Sequence, residues 1–152
     1  MTYADTSFLA SAYGDDSNTS EARRFIAEFS PRLPFTFLHW PELAKSFWTN
    51  QPAVAEQLWE LVEEDLGQGQ KLYLPDLDAD DVARRAAGLM KNYCPRWKKI
   101  RSLDALHVSA AVTGHFNTFV SFDATSFQRV LAHSQKLSVW PPLTPAEQKH
   151  LK

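Results

Sequence analysis

Two spacings of apolar residues alternate along this chain, one typical of helices and one typical of strands. In the helical segments apolar residues recur every three or four positions, whereas the strand-like segments are short and rich in aromatic and β-branched residues. Helices are predicted at residues 6–13, 18–29, 41–50, 53–66, 78–93, 103–111 and 124–134. Strands are predicted at residues 2–4, 35–40, 71–75, 117–122 and 137–141. This alternation predicts an α/β fold with a mostly parallel central sheet, and right-handed crossovers would place helices on both of its faces.

Length and composition predict one globular domain. The chain has 152 residues, of which 44% are apolar and 22% are charged, as is ordinary for a soluble domain. No apolar run approaches the roughly 20 residues that a membrane span needs, and the first residues do not resemble a signal peptide. The lone Cys94 excludes an intramolecular disulfide and fits a reducing compartment. We therefore expect a cytoplasmic protein with a single domain at residues 1–142 and a tail at residues 143–152.

The charge distribution is more informative than the net charge. A formal charge of −2 gives no overall basic field that would attract nucleic acid. Four cations nevertheless fall within six residues, at Arg96, Lys98, Lys99 and Arg101. Such a cluster can hold a phosphate backbone, or it can simply be a solvated connector. Trp97 lies inside this run, and we expect it to pack on the core rather than to stack on a base.

Four acidic residues occupy strand ends or helix starts. Asp5 and Asp123 follow predicted strands, Glu42 begins the helix after the next strand, and Asp104 begins the helix after Ser102, its predicted N-cap. Ligand sites in parallel sheets form beyond the carboxyl ends of the strands. At about 4 Å and an effective dielectric constant near 20, each pair of like charges costs roughly 4 kcal/mol. A hard divalent cation such as Mg²⁺ or Mn²⁺ would relieve this repulsion and favour hydrolysis of a phosphodiester.

Each of these acids also has a simpler explanation. A carboxylate at the start of a helix can cap free N–H groups or interact with the helix dipole, so four such residues do not by themselves establish a metal site. Three other kinds of site lack their motifs: the chain has no H-x-x-x-H pair for zinc, no phosphate-binding P-loop and no dinucleotide-binding glycine turn. We expect His107, one turn after Asp104, to be hydrogen-bonded within the fold.

Four segments together resemble the PIN-domain ribonucleases, and among these most of all the VapC-type toxins of toxin–antitoxin modules. The segments are MTYADTSFLASAY, WPELAKSFW, RSLDALHVSAA and FVSFDATSFQRVLA, in this order. The resemblance covers most of the chain and implies a three-layer α/β/α sandwich with an acidic metal-binding pocket. It also implies Mg²⁺ or Mn²⁺ as cofactor, endonucleolytic cleavage of RNA, a homodimer and a small cognate antitoxin as partner.

The resemblance also assigns roles to residues of this chain. Asp5, Asp104 and Asp123 match the family's metal-binding acids, and Glu42 matches the remaining catalytic acid. Hydroxyl groups that orient the carboxylates or water correspond to Thr6, Ser7 and Ser121, the last standing where many members have Thr. We expect Lys98, Lys99 and Arg101 to contact the RNA backbone.

The leading hypothesis is therefore a metal-dependent endoribonuclease that leaves a 5′-phosphate and a 3′-hydroxyl. A PIN-like RNA-processing nuclease outside a toxin–antitoxin module is one alternative, and a non-catalytic binding module is another. A phosphatase with Asp5 as a phosphorylated nucleophile is a further class. It lacks a convincing set of partner residues in the sequence.

Overall fold

The computed structural model describes residues 1–152, which form two compact units. We call residues 4–75 the N-terminal unit, and residues 1–3 together with 76–152 the C-terminal unit. The first strand, β1 (Thr2–Ala4), crosses the boundary between them. The structure contains no helix with the length and hydropathy that a membrane span requires.

The N-terminal unit consists of four helices and a two-stranded parallel sheet. Its elements are α1 (Thr6–Tyr13), α2 (Thr19–Phe29), β2 (Leu33–Pro34), α3 (His39–Asn50), α4 (Ala55–Gln68) and β3 (Leu72–Tyr73). β2 pairs with β3 in register Leu33↔Leu72 and Pro34↔Tyr73. The helices bury large apolar side chains such as Phe8, Leu43 and Phe47 completely. Each such side chain contributes about 1.5–3 kcal/mol through the area it removes from water.

The prediction of a strand at residues 35–40 is wrong. The backbone instead turns at Thr36 and enters α3 at His39, two residues before the predicted start. The His39 N–H donates to the Thr36 carbonyl at 3.0 Å, and the Leu38 N–H donates to Thr36 Oγ1 at 3.2 Å. These local hydrogen bonds satisfy the backbone groups that a strand would have offered to a neighbour, so only Leu33–Pro34 pairs as a strand.

The C-terminal unit is built around a three-stranded sheet in the order β1-β4-β5. Its further elements are α5 (Ala79–Tyr93), α6 (Ser102–Thr113), β4 (Thr118–Val120), α7 (Gln128–Ser134), β5 (Ser138–Trp140), α8 (Pro145–Gln148) and a 3₁₀ helix at Lys149–Leu151. β4 runs parallel to β5, with Phe119 opposite Val139. The buried Tyr3 ring stacks on Phe119 with centroids 5.7 Å apart.

Two helix starts in this unit differ from their predictions. Ser102 is the first residue of α6 and is not its cap. The position before it, Arg101, is the N-cap, and its N–H donates to Asp104 Oδ2 at 3.0 Å. The predicted helix at residues 124–134 begins only at Gln128, because the preceding residues fold back onto Asp123.

Candidate active site

Asp5 lies where β1 ends and α1 begins. Its Oδ1 accepts the Phe8 N–H at 3.1 Å, which caps α1, and the Ser7 hydroxyl at 2.6 Å. The residue is only 4% exposed. Asp5 is therefore both a helix cap, as the simpler explanation requires, and a buried carboxylate with polar donors around it.

Glu42 lies in the first turn of α3 and contacts one of the predicted supporting hydroxyls. Thr6 donates from Oγ1 to Glu42 Oε1 at 3.0 Å, although the two residues are 36 positions apart in sequence. Within the N-terminal unit, the hydroxyls of Thr6 and Ser7 thus reach two different acids. The two hydroxyls hold Glu42 and Asp5 in fixed orientations.

His39 fixes the backbone beside Asp5. Its ring is fully buried. Nδ1 accepts the Thr36 N–H at 2.8 Å, so Nε2 carries the proton of the neutral ring and donates to the Ala4 carbonyl at 2.8 Å. The peptide group between Ala4 and Asp5 is thereby tied to the first turn of α3.

Asp104 is almost completely buried, at 2% exposure, and it is held by Arg101 through both backbone and side chain. Besides the backbone bond to Oδ2, Arg101 Nε lies 3.2 Å from Oδ2, and Nη2 lies 3.3 Å from Oδ1. This fork is a charge-assisted contact of the kind that Arg and carboxylates form preferentially. Asp104 is therefore ion-paired as well as placed at the positive end of its own helix.

Asp123 lies three residues beyond β4 in a loop that converges on its carboxylate. Oδ1 accepts the Thr125 hydroxyl at 2.9 Å and the backbone N–H groups of Thr125 and Ser126, both at 3.2 Å. Oδ2 accepts the Ser126 hydroxyl at 3.0 Å and Arg101 Nη2 at 3.2 Å. Partial burial acts to raise the pKa of Asp123, but the hydrogen bonds from Thr125 and Ser126 together outweigh it and bring the pKa below its usual value. Asp123 is thus held in its charged form.

Ser121 holds the loop that carries Asp123 through hydrogen bonds of its hydroxyl group. It is fully buried, its Oγ accepts the Asp123 N–H at 3.1 Å, and the hydroxyl donates to Gln128 Oε1 at 3.3 Å. The Ser121 carbonyl in turn accepts Arg129 Nη1 at 2.6 Å. The hydroxyl at this position therefore has a defined use, which is to anchor the loop that carries Asp123.

The other residues singled out from the sequence divide into buried and exposed groups. Trp97 is 4% exposed and stacks between Tyr93 and Phe127, with ring centroids 5.0 Å and 5.8 Å apart, respectively. The prediction that Trp97 packs on the core is confirmed. His107 is buried and hydrogen-bonded through Nδ1 to the Tyr3 hydroxyl at 2.7 Å, also as predicted. Lys98 and Lys99 are exposed.

Each unit brings together part of the predicted set. The N-terminal unit joins Glu42 to Thr6, and the C-terminal unit joins Asp104 to Asp123 through Arg101. No group of three or more histidine, cysteine, aspartate or glutamate side chains is arranged to hold a metal ion. The four-carboxylate metal pocket stays a prediction.

Sequence reasoning missed three residues that position the predicted acids, which are His39 in the N-terminal unit and Thr125 and Ser126 in the C-terminal unit. For the last two a signal exists, because an Asp followed by Thr and Ser two and three positions later is typical of a turn closed by side-chain hydrogen bonds. For His39 no local signal exists, since its partner at Ala4 lies 35 residues away.

Comparisons with known proteins agree on the fold. The family model described as PIN domain matches residues 2–131. A solved structure with a similar fold is that of VapC20 from Mycobacterium tuberculosis, described as a sarcin-ricin loop cleaving toxin. It has a TM-score of 0.64 and 15% sequence identity, covering 82% of this chain and 91% of that one. No curated protein matches the sequence.

The match to the family model extends over far more than half of the chain, whereas an identity of 15% shows likeness of fold alone. The prediction of a PIN-like α/β fold with a parallel central sheet is confirmed. The chain belongs to the PIN domain family.

Proposed function

We propose that this protein is a metal-dependent endoribonuclease and the toxin of a toxin–antitoxin pair. The observation that carries the proposal is the burial of two carboxylates, Asp5 in the N-terminal unit and Asp104 in the C-terminal unit, in a chain that matches the PIN domain over residues 2–131. A buried carboxylate is costly unless a cation or hydrogen bonds compensate it. The description of VapC20 as a loop-cleaving toxin supports RNA as the class of substrate.

The donor chemistry of these residues fits a hard divalent cation. All the proposed ligands are carboxylate oxygens, and hydroxyl groups of Ser7 and Thr6 contact two of the acids. Oxygen-only donor sets suit Mg²⁺ and Mn²⁺, whereas zinc would favour histidine or cysteine. We therefore propose Asp5, Asp104 and Asp123 as the ligands of Mg²⁺ or Mn²⁺.

Within this proposal the chain's own residues have separate tasks. The cation, when bound, supplies Lewis-acid activation of water and neutralises charge at the phosphodiester. Glu42, oriented by Thr6, accepts hydrogen bonds from water near the ligands. Thr125 and Ser126 keep Asp123 charged, and Ser121 holds its loop. Lys98 and Lys99 contact the RNA backbone as exposed cations.

A partner protein is the remaining part of the proposal. Phe37, Trp40 and Trp48 are 41%, 36% and 43% exposed, and the rings of Trp40 and Trp48 each lie within 6 Å of Trp59 on α4. Exposed aromatic clusters of this kind are typical of protein interfaces. We propose that this surface, which we call the tryptophan cluster (Trp40, Trp48 and Trp59), receives the antitoxin. The homodimer is proposed from the family resemblance alone.

Cleavage of RNA in defined metal conditions tests the enzymatic part. We expect cleavage with Mg²⁺ or Mn²⁺, no cleavage with EDTA, and products that carry a 5′-phosphate and a 3′-hydroxyl. Because each removes a ligand charge, Asp5→Asn and Asp104→Asn are expected to lower the rate at least about 100-fold. Gel assays of end-labelled RNA measure both the rate and the chemistry of the ends.

The matched control is Asp78→Asn. Asp78 caps α5 as Asp5 caps α1, by accepting the Asp81 N–H at 3.0 Å, but it is exposed. This variant should keep the wild-type rate, which separates loss of a cap from loss of a ligand. Full activity of Asp5→Asn and Asp104→Asn, or wild-type cleavage in EDTA, would contradict the proposal.

A further inference from the structure

Arg101 places its guanidinium against two of the proposed metal ligands. The Arg101 contacts to Asp104 Oδ1, Asp104 Oδ2 and Asp123 Oδ2 measure 3.3, 3.2 and 3.2 Å. One cationic side chain therefore occupies three of the four oxygens of this pair of carboxylates. These are the same atoms that a hard divalent cation would use, so the two cations compete for one set of donors.

The two sides of this contact differ in how firmly they are held. The Asp104 and Asp123 side chains are only 3% and 20% exposed, whereas the Arg101 side chain is 68% exposed. Asp104 keeps its bond from the Arg101 backbone N–H whatever the side chain does, and Asp123 is held by Thr125 and Ser126. The carboxylates are thus preorganised, and the guanidinium is the part that can leave toward solvent.

The charge balance favours an exchange. The carboxylates of Asp104 and Asp123 with the guanidinium carry a net charge of −1, and the same carboxylates with a divalent cation in place of the guanidinium carry none. The Arg101 side chain is 68% exposed, so water weakens its ion pairs, and their loss opposes the exchange less than the loss of a fully buried pair would. The guanidinium thus compensates the carboxylates in the absence of metal, and a cation reaches their oxygens by displacing it.

We propose that Arg101 is an exchangeable counter-ion, which neutralises the Asp104–Asp123 pair in the metal-free protein and is displaced when a divalent cation binds. This inference rests on the proposed metal site. It gives Arg101 a role different from a permanent RNA contact, since its guanidinium becomes available to a phosphate group only after the cation has displaced it.

Binding of Mn²⁺ to the full chain, measured by isothermal titration calorimetry, tests the exchange without any measurement of activity. Removing the competitor in Arg101→Gln is expected to tighten Mn²⁺ binding by about three- to tenfold, because the largely exposed guanidinium forms ion pairs that water weakens. Arg101→Lys, which keeps the charge but not the fork, is expected to fall between Arg101→Gln and the wild type.

Thermal unfolding gives a second test, because only an exchangeable arginine makes the loss of melting temperature in Arg101→Gln depend on Mn²⁺. In EDTA, Arg101→Gln is expected to melt below the wild type, because repulsion between Asp104 and Asp123 is no longer relieved. In saturating Mn²⁺ the deficit should shrink, since ligand that binds more tightly raises the melting temperature further. An arginine needed only for folding would leave the same deficit in both conditions and would overturn the inference.

Two controls separate this inference from the proposed function. Lys99→Gln removes the same charge from an exposed position in the same basic run, and its Mn²⁺ affinity should stay within twofold of the wild type. Asp104→Asn should lose Mn²⁺ binding. If Asp104→Asn behaves as expected but Arg101→Gln binds Mn²⁺ no more tightly than the wild type or Lys99→Gln, the exchange is refuted and the metal site stands. If neither the wild type nor any of the variants binds Mn²⁺, the proposed metal site fails, and the inference fails with it.

Discussion

Asp123 is a residue whose charge state depends on a few short side chains. Four hydrogen bonds reach it from Thr125 and Ser126 alone, and they keep its pKa below the usual value despite partial burial, which acts in the other direction. A carboxyl whose folded pKa is lowered stabilises the fold above its unfolded pKa, near 3.9, and loses that contribution as the pH falls through the folded value.

Replacing Ser126 by Ala should therefore destabilise the protein in a pH-dependent way. The variant loses the bond to Asp123 Oδ2 and the bond that Ser126 Oγ accepts from the Gln128 N–H at 3.3 Å. We expect the free energy of unfolding at pH 7 to fall by about 1 kcal/mol. The difference from wild type should shrink as the pH falls below the unfolded pKa, near 3.9, and should vanish once the pH has passed the lowered pKa of the folded protein.

Urea unfolding at pH 7 and at pH 3.5 measures this difference. The control is Ser20→Ala, which alters an exposed hydroxyl in α2 and should give a difference that does not vary with pH. A Ser126→Ala deficit that is the same at both pH values would show that the hydroxyl does not act through Asp123.

The residues that the sequence reveals are those whose task is local. Asp5 and Asp104 can be identified at helix starts because caps and dipoles act within one turn. The guanidinium of Arg101 could be predicted near the acids, but its contact with both Asp104 and Asp123 could not, since that depends on where the loop after β4 returns. His39 could not be identified, because its partner at Ala4 is remote in sequence.

Among the elements, α3 is joined to the end of β1 by the single ring of His39. The ring is fully buried and bonds to the Ala4 carbonyl and the Thr36 N–H. His39→Ala should lower the free energy of unfolding by about 2–4 kcal/mol, because it leaves buried polar groups without this partner and opens a cavity. It should also slow RNA cleavage, since Asp5 follows Ala4 directly.

Chemical denaturation together with the cleavage assay tests this link. His133→Ala is the comparison, because His133 is exposed and surface changes usually stay within about 0.5 kcal/mol. A His39→Ala protein as stable as His133→Ala would contradict the role given to this ring.

Elements were predictable where one local pattern dominates. The spans of α1 and β1 agree with their predictions because their apolar spacing is regular. The strand at 35–40 was wrong because aromatic composition favours strands, whereas hydrogen bonds between Thr36 and His39 decide the backbone. The predicted start of α7 at residue 124 is wrong, although the residue types at 124–127 suit a helix. Thr125 and Ser126 instead form hydrogen bonds with Asp123, and the helix begins after them.

At the scale of the whole chain, residues beyond the predicted domain boundary at 142 contact the interior of the C-terminal unit. Glu147 in α8 forms a buried ion pair with Arg129, with Nε to Oε1 at 2.8 Å and both side chains under 10% exposed. Arg129 also donates to the carbonyls of Ser121 and Pro141 at 2.6 and 2.8 Å. The segment after residue 142 thus compensates a charge that lies inside the C-terminal unit.

Deleting residues 143–152 should therefore destabilise the protein. Removing one partner of a buried ion pair costs about 3–5 kcal/mol, and Arg129 would remain with carbonyl partners only. Unfolding of residues 1–142 against the full chain measures this cost. Glu147→Gln should show part of the same loss, whereas Glu60→Gln, at an exposed position of α4, should show none. A truncated chain as stable as the full one would confirm residues 143–152 as a dispensable tail.

The tryptophans differ in burial, so their intrinsic fluorescence can report binding at the tryptophan cluster. Trp97 is enclosed between two rings, whereas Trp40 and Trp48 of the tryptophan cluster are partly open to water. A water-soluble quencher should therefore reduce the emission of the open indoles first and leave that of Trp97. A protein that docks on the cluster would shield the quenchable fraction, so its arrival can be followed by fluorescence without any attached dye.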